Sequence, residues 1–240
     1  MTMTVVYDNN PGVEGLQTAW GFGCVIELPE TTVLFDTGAD GPTLLSNMRE
    51  LGIDPADVDL VVLSHIHGDH VGGLADFLAR NSEVTVCVPP SFPEAFKEAV
   101  RATGAGILDV EPGQRLADHV YTTGEMGAGV KEQALILEAE PGLIVITGCA
   151  HPGVVEMVAE APRLMDRDIE LVFGGFHLGG ESRSRLEAIA HGFQELGVRR
   201  AGPCHCSGDE ARVVFGEIYG AKYEPVAVGS RIEIPLAAAE

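Results

Sequence analysis

Four side chains able to bind a metal fall within six positions of one another in the stretch Ser64-His65-Ile66-His67-Gly68-Asp69-His70. Neutral imidazole suits zinc, iron and similar ions, and a carboxylate adds charge without softness. Three His and one Asp exceed what one tetrahedral ion needs when a water position stays open, so the stretch hints at two ions. The chain has 8 His in 240 residues, and three of them lie here, which weighs against a chance His-rich loop. His65 and His67 point the same way in extended chain. Gly68 lets the chain turn, and Asp69 and His70 enter the first turn of a helix.

Three further segments carry His at expected strand ends: Gly148-Cys149-Ala150-His151, Gly174-Gly175-Phe176-His177, and Gly202-Pro203-Cys204-His205-Cys206. Strands of such folds deliver their ends to one edge, so distant positions can converge. His151 and His205 are expected to be ligands. His177 can be a ligand, a proton shuttle or a substrate contact. His119 and His191 are expected to be solvated. Cys204-His205-Cys206 lacks a second Cys pair, so the two Cys read as small packing residues rather than as a structural zinc site. Asp36, in Leu34-Phe35-Asp36-Thr37-Gly38, is open between turn chemistry and orienting a ligand.

The elements that must position these groups follow from periodicity. Val58 to Leu63, broken only by Asp59, reads as a buried strand, and Val71 to Arg80 as the helix after it. Upstream, Val5 to Tyr7 reads as a strand, Gly12 to Gly23 as a loop, and Cys24 to Leu28 with Thr32 to Phe35 as a hairpin. Pro42 to Leu51 is a helix ended by Gly52. Downstream come strands at Val84 to Val88, Ile107 to Val110 and Val120 to Thr123, with a helix between the first two opened by a Ser91/Glu94 capping box. A second hairpin, Gln133 to Glu138 with Leu143 to Thr147, precedes a helix at Gly153 to Ala161 stopped by Pro162. Then follow a strand at Glu170 to Phe173, a helix ending at Gly197, a strand at Val198 to Ala201, and a helix opened by Ser207 and Glu210. Val226 to Val228 and Arg231 to Ile234 finish the sheet. The two hairpins, each followed by a strand end rich in polar groups, read as an internal duplication within one domain spanning 1–240.

Hydrophobic content of 45% allows a substantial core, and Lys+Arg 15 against Asp+Glu 36 gives a net charge of -21. Such a surface repels nucleic acid, whose affinity for proteins comes largely from cations meeting phosphates. A small phosphorylated substrate remains open, because bound ions dominate local charge. An odd count of 5 Cys without framework spacing points to a reduced, cytoplasmic chain. No signal core or membrane-length apolar run is present in the sequence.

The motif Ser-His-Ile-His-Gly-Asp-His-Val-Gly-Gly resembles the HxHxDH signature of the metallo-β-lactamase superfamily. The resemblance extends from Leu34-Phe35-Asp36-Thr37-Gly38 to the three later His segments. It implies an α+β, four-layer αββα sandwich and a hydrolase that uses a metal-bound hydroxide. The superfamily's final His maps onto His205. Where it usually carries a third-motif His, this chain has Thr123-Gly124-Glu125, and where it carries a bridging Asp, this chain has Gly148-Cys149. These segments resemble a branch of metal-dependent hydrolases and dihydropterin-methyl ribofuranosylaminobenzene-phosphate synthases. That pattern implies two divalent ions, zinc first, with manganese or iron as alternatives. His65, His67 and His151 would hold one, and Asp69, His70 and His205 the other. Cys149 would be a soft ligand or a buried packing residue. Asp69 would also orient the nucleophile, and His177 would protonate the leaving group or bind an oxyanion. The implied substrate is a phosphodiester or phosphate-bearing small molecule, with lactones, esters or thioesters next. An iron-dependent redox protein on the same scaffold is the reading from another class.

Overall fold

A computed structural model of the chain describes residues 1–237. The chain forms two compact units, Met1–Glu111 with Ala227–Glu233, and Pro112–Val226 with the chain from Ile234 onward.

The first unit contains β1 (Thr2–Tyr7), β2 (Gly23–Glu27), β3 (Thr32–Phe35), α1 (Gly41–Glu50), β4 (Leu60–Val62), α2 (Gly68–Val71), α3 (Leu74–Leu78), β5 (Thr85–Val88), α4 (Glu94–Ala102) and β6 (Gly106–Asp109). The strands lie side by side in chain order. β1, β2 and β3 pair antiparallel, while β3, β4, β5 and β6 run parallel. α1 starts as its sequence dictates. Asp40 accepts the Thr43 N–H at 2.8 Å, and Pro42 sits in the first turn, where a missing N–H does no harm. Leu44 and Met48 of α1, Phe77 and Leu78 of α3, and Val100 of α4 share a core with Val25, Leu34, Val61 and Val86. The five residues of α3 are too few to be helical alone. Burial of Phe77, contributing about 2–3 kcal/mol, is what holds them.

The helix expected over Val71 to Arg80 is broken into α2 and α3 at Gly72-Gly73. A Cβ on Gly72 would lie 2.1 Å from the Ala39 carbonyl oxygen, and one on Gly73 2.2 Å from that of Thr37. The glycine pair is therefore a place of close backbone approach. The capping box expected from Ser91 is not formed: Pro93 occupies the N-cap of α4. Phe92 precedes a proline and is excluded from helical backbone, so Ser91 is too early to cap.

The second unit contains β7 (Arg115–Ala117), β8 (Val120–Thr122), β9 (Leu135–Ala139), β10 (Gly142–Thr147), α5 (Val154–Met165), β11 (Ile169–Gly175), α6 (Arg183–Glu195), β12 (Arg200–Cys204) and α7 (Asp209–Tyr219). β7 to β10 form an antiparallel meander, and β11 and β12 add parallel beyond β10. Met157 and Val158 of α5, Phe193 of α6 and Phe215 of α7 cluster with Val145 and Val172. Pro162 lies inside α5 rather than ending it. It removes one helical bond, and the packing of Leu164 and Met165 on this core offsets the loss.

Two further sequence expectations are corrected. Ser207 does not cap α7, whose N-cap is Gly208 at φ 81. Its hydroxyl instead accepts the Phe176 N–H at 3.0 Å. Val226 to Val228 is not a strand. Val228 exchanges backbone bonds with Asn10 and Val13 of the first unit's loop, at 3.2 and 3.0 Å. The chain then adds β13 (Arg231–Glu233) antiparallel beside β1. The class is mixed α+β with two sheets. Among the described residues no helix is long and apolar enough to cross a membrane.

Candidate metal centre

In the first unit the site is built where β3 and β4 end side by side. Phe35 is opposite Val62, so Asp36 follows one strand as Leu63 and Ser64 follow the other. Asp36 is fully buried and has a left-handed φ of 56, a strained conformation for a residue with a Cβ. Its carboxylate explains what holds it there. Oδ1 accepts the Ser64 N–H at 2.7 Å, and Oδ2 lies 2.7 Å from both Ser64 Oγ and His70 Nδ1.

This arrangement fixes two tautomers. His70 donates its Nδ1 proton to Asp36 and so presents Nε2 as a lone pair. The single Ser64 hydroxyl proton goes to Asp36. The 2.9 Å contact between Ser64 Oγ and His65 Nδ1 is therefore donated by His65, which also presents a lone pair at Nε2. That nitrogen lies 3.1 Å from His67 Nδ1, close to the separation of about 3.3 Å between two nitrogens on one tetrahedral ion. His70 Nε2 lies 3.6 Å from an Asp69 carboxylate oxygen. A lone pair and a carboxylate at that distance repel unless a proton or cation relieves them. The donor set thus fits a divalent ion.

Backbone contacts hold the ligand loop. The His70 carbonyl accepts from Thr37 N at 2.8 Å and from Thr37 Oγ1 at 2.9 Å. The Asp69 carbonyl accepts from Phe22 N at 3.3 Å. Gly21, at φ 146, has no room for a Cβ there, since one would fall 2.5 Å from that same carbonyl. Gly21 therefore lets the 12–23 loop come against the ligand segment.

In the second unit β10, β11 and β12 end together, and the residues just past them cluster. The rings of His151 and His177 are 4.3 Å apart, and His205 Nε2 is 3.5 Å from Cys149 Sγ. Cys149, His177 and Cys206 offer ligand atoms that all lie within 4.8 Å of one another. His177 is exposed, His151 half-buried, and the two Cys buried. The Cys206 thiol is held well below a thiol's ordinary range, first by hydrogen bonding with Cys149, then by His177 and the His205 charge, against the opposing effect of burial. Burial alone pushes the Cys87 thiol up to about 12, which marks it as inert.

Glu132 organises this cluster and was not anticipated from the sequence. Its fully buried carboxylate accepts three successive backbone N–H groups, from Cys149 and Ala150 at 2.8 Å and from His151 at 2.9 Å. The one signal was a charged residue at the mouth of a buried strand. Other expectations divide. His191 is exposed and contacts Gln194, as a solvated residue should. His119 is a correction: it stands half-buried in the β7–β8 turn at φ 64, and its Nδ1 is buried with no hydrogen-bond partner among the described residues. Cys204 is a buried packing residue as read, whereas Cys206 joins the donor cluster. Glu125 lies 3.9 Å from Lys131.

Two mixed sheets with His-rich strand ends are the frame of a metallo-hydrolase-like fold. The chain belongs to the metallo-beta-lactamase superfamily, whose family model matches residues 24–158. It is 28% identical to the 7,8-dihydropterin-6-methyl-4-(beta-D-ribofuranosyl)-aminobenzene-5'-phosphate synthase of Methanocaldococcus jannaschii, over 84% of each chain. It is also 28% identical to Tm1679, a metal-dependent hydrolase of the beta-lactamase superfamily, with a TM-score of 0.81 over 98% of this chain and 99% of that one. The Bacillus subtilis protein YhfI, 15% identical with a TM-score of 0.73 over 97% of this chain and 99% of that one, shares the fold.

Proposed function

We propose that this chain is a metal-dependent hydrolase acting on a phosphodiester or phosphate-bearing small molecule. The observation that carries the reading is the buried Asp36 carboxylate, which sets His65 and His70 with their Nε2 lone pairs outward beside His67 and Asp69. A carboxylate that orients a ligating imidazole is the usual support of a working metal site. The ligands we assign are His65, His67, Asp69 and His70 in the first unit and His151 and His205 in the second, holding two divalent ions, zinc first. When bound, such ions acidify water and polarise a phosphoryl or carbonyl oxygen.

The chain's own residues do the rest. Asp69 accepts a proton from the attacking water and orients it. His177 is exposed, with its ring against His151, and gives a proton or a hydrogen bond to the leaving oxygen. The net charge of -21 favours a small substrate over a nucleic acid. The likeness to Tm1679, at 28% identity over nearly the whole chain, supports hydrolysis.

A second reading is favoured by the synthase from Methanocaldococcus jannaschii, matched at the same identity. In that reading the same ligands serve a group transfer in which the acceptor is an organic molecule rather than water. One experiment separates the two. The purified chain is analysed for metal and assayed on a phosphodiester and a lactone panel in water, beside H67A. Hydrolysis that disappears together with bound metal in H67A supports the proposal. Full turnover by a metal-free H67A would sink it. Metal lost in H67A, with no hydrolysis by the parent chain on any of the panel, would move the reading to transfer.

A further inference from the structure

We propose that Cys149, His177 and Cys206 form a thiolate-rich site for an ion of the zinc class. The argument begins with strand ends. β10 ends at Thr147, β11 at Gly175 and β12 at Cys204, and each of the three donors lies two residues beyond one of those ends. The three strands are adjacent and parallel. His177 and Cys206 lie level in the β11–β12 register, and Cys149 falls one residue short of them in the β10–β11 register, so the three donors come to one sheet edge. Their ligand atoms lie within 4.8 Å of one another. Two thiolates on one zinc stand about 3.8 Å apart, given a zinc–sulfur distance of about 2.3 Å. The donors therefore close on an ion with shifts of about 1 Å.

The edge is built to hold these groups. Ala150, His177 and His205 all have left-handed backbone, at φ 61, 54 and 48, so each strand exit carries one strained residue at or next to a donor. Three anchors keep the turns in place. Glu132 holds the Cys149 N–H, Thr147 Oγ1 donates to the Gly175 carbonyl at 2.8 Å, and Ser207 Oγ accepts the Phe176 N–H. Gly175 leaves the space that Cys206 occupies. A Cβ at 175 would fall 2.7 Å from Cys206 Sγ and 2.1 Å from the Gly148 carbonyl oxygen. Backbone strain, a close approach that only glycine allows and fixed loops converge on three side chains whose shared property is affinity for a soft or borderline ion.

The donor set also says what kind of site this is. Two thiolates with one imidazole leave a fourth tetrahedral position, the pattern of a working zinc site rather than a closed structural one. Cys149 and Cys206 are 3% and 8% exposed, whereas His177 is open to solvent, so the site reaches solvent at its imidazole. A ligating imidazole keeps a second ring nitrogen, and its N–H remains available as a donor to a substrate oxygen. The inference stands on residues of the second unit alone and does not need the hydrolase reading.

The test is cobalt loading of the full chain, stripped of metal and kept reduced, with near-ultraviolet thiolate-to-cobalt absorbance read per bound ion. The parent chain is expected to show the band. C206S and C149S should each halve it, and the double variant should lose it. H67A should keep the band while losing hydrolysis, which separates failure here from failure of the proposed activity. A parent chain that binds cobalt without the band, or a C206S band equal to the parent's, overturns the site. If C206S does not fold, alkylation of the parent chain by iodoacetamide decides. Zinc should slow labelling of Cys149 and Cys206 by at least tenfold, and equal rates with and without zinc overturn the proposal.

Discussion

Replacing Glu132 by Gln tests whether one buried carboxylate organises the second unit's cluster. The carboxylate accepts N–H groups from Cys149 and Ala150 on Oε1 and from His151 on Oε2. An amide has one oxygen. Its best orientation keeps that oxygen in the Oε1 position and turns its own N–H groups toward the His151 N–H. One buried donor then faces another donor, at a cost of about 1–3 kcal/mol. The two remaining bonds change from charge-assisted to neutral, and each loses about 1 kcal/mol. Relief of the buried charge offsets part of this, leaving a net loss of about 2–4 kcal/mol. For a chain of this length each kcal/mol lowers the melting temperature by about 2–4 °C, so E132Q should melt about 5–15 °C lower. The 149–151 amides should exchange about 30- to 1,000-fold faster, since each 1.4 kcal/mol is tenfold. Calorimetry and amide exchange read the two effects separately. A melting point within 1 °C of the parent, with unchanged exchange at 149–151, would refute the idea that Glu132 holds the loop.

D36N should weaken metal binding by about 10–100-fold, because the His70 Nδ1 proton and the Ser64 hydroxyl lose the charged acceptor they share; chelator competition reads it, and an unchanged affinity counts against the tautomer argument. G72A should destabilise by about 1–3 kcal/mol through the 2.1 Å approach to the Ala39 carbonyl, more than G52A, where φ is 74 but no atom of the described residues lies within 4 Å and the cost is about 1 kcal/mol of backbone strain; the reverse order in denaturant melts would show that the Gly72 contact relaxes freely. S207A should cost about 1–3 kcal/mol by orphaning the buried Phe176 N–H, and an unchanged melt would show that this N–H finds another partner.

The readable part of the fold was the part governed by periodicity and composition. Strand cores such as Val33 to Phe35 and Leu143 to Ile146 are uninterrupted apolar runs, and their hairpins and the helix at Gly41–Glu50 fall where the pattern places them. The misread helices each involve a local rule overridden by a non-local contact or a neighbour. Gly72-Gly73 breaks a helix because the backbones of Thr37 and Ala39, more than thirty residues earlier, pass against it. Pro93 cancels the Ser91 cap, and a core contact lets α5 run through Pro162. β7 was missed because Arg115–Ala117 is three residues long and carries no alternation.

Within the candidate site the sequence displays donors but hides what orients them. His65, His67, Asp69 and His70 are legible because they are adjacent, and adjacency is a sequence property. Asp36 and Glu132 act on partners 28 and 17 residues away, a distance only a sheet register removes. Both occupy positions that look unfavourable in isolation: a non-glycine at φ 56 and a carboxylate without solvent. Each is stabilised by the backbone N–H groups and hydroxyls left over where a strand ends, because those donors have no ladder partner and need a strong acceptor. The two units thus solve the same problem alike. A hairpin delivers a strand beside a parallel neighbour, the exposed donors at the strand ends gather around one buried carboxylate, and that carboxylate fixes the turn on which the ligands stand. A search for such acids, near apolar strand mouths rather than among the His themselves, is what would have found Glu132 and decided between the two readings of Asp36.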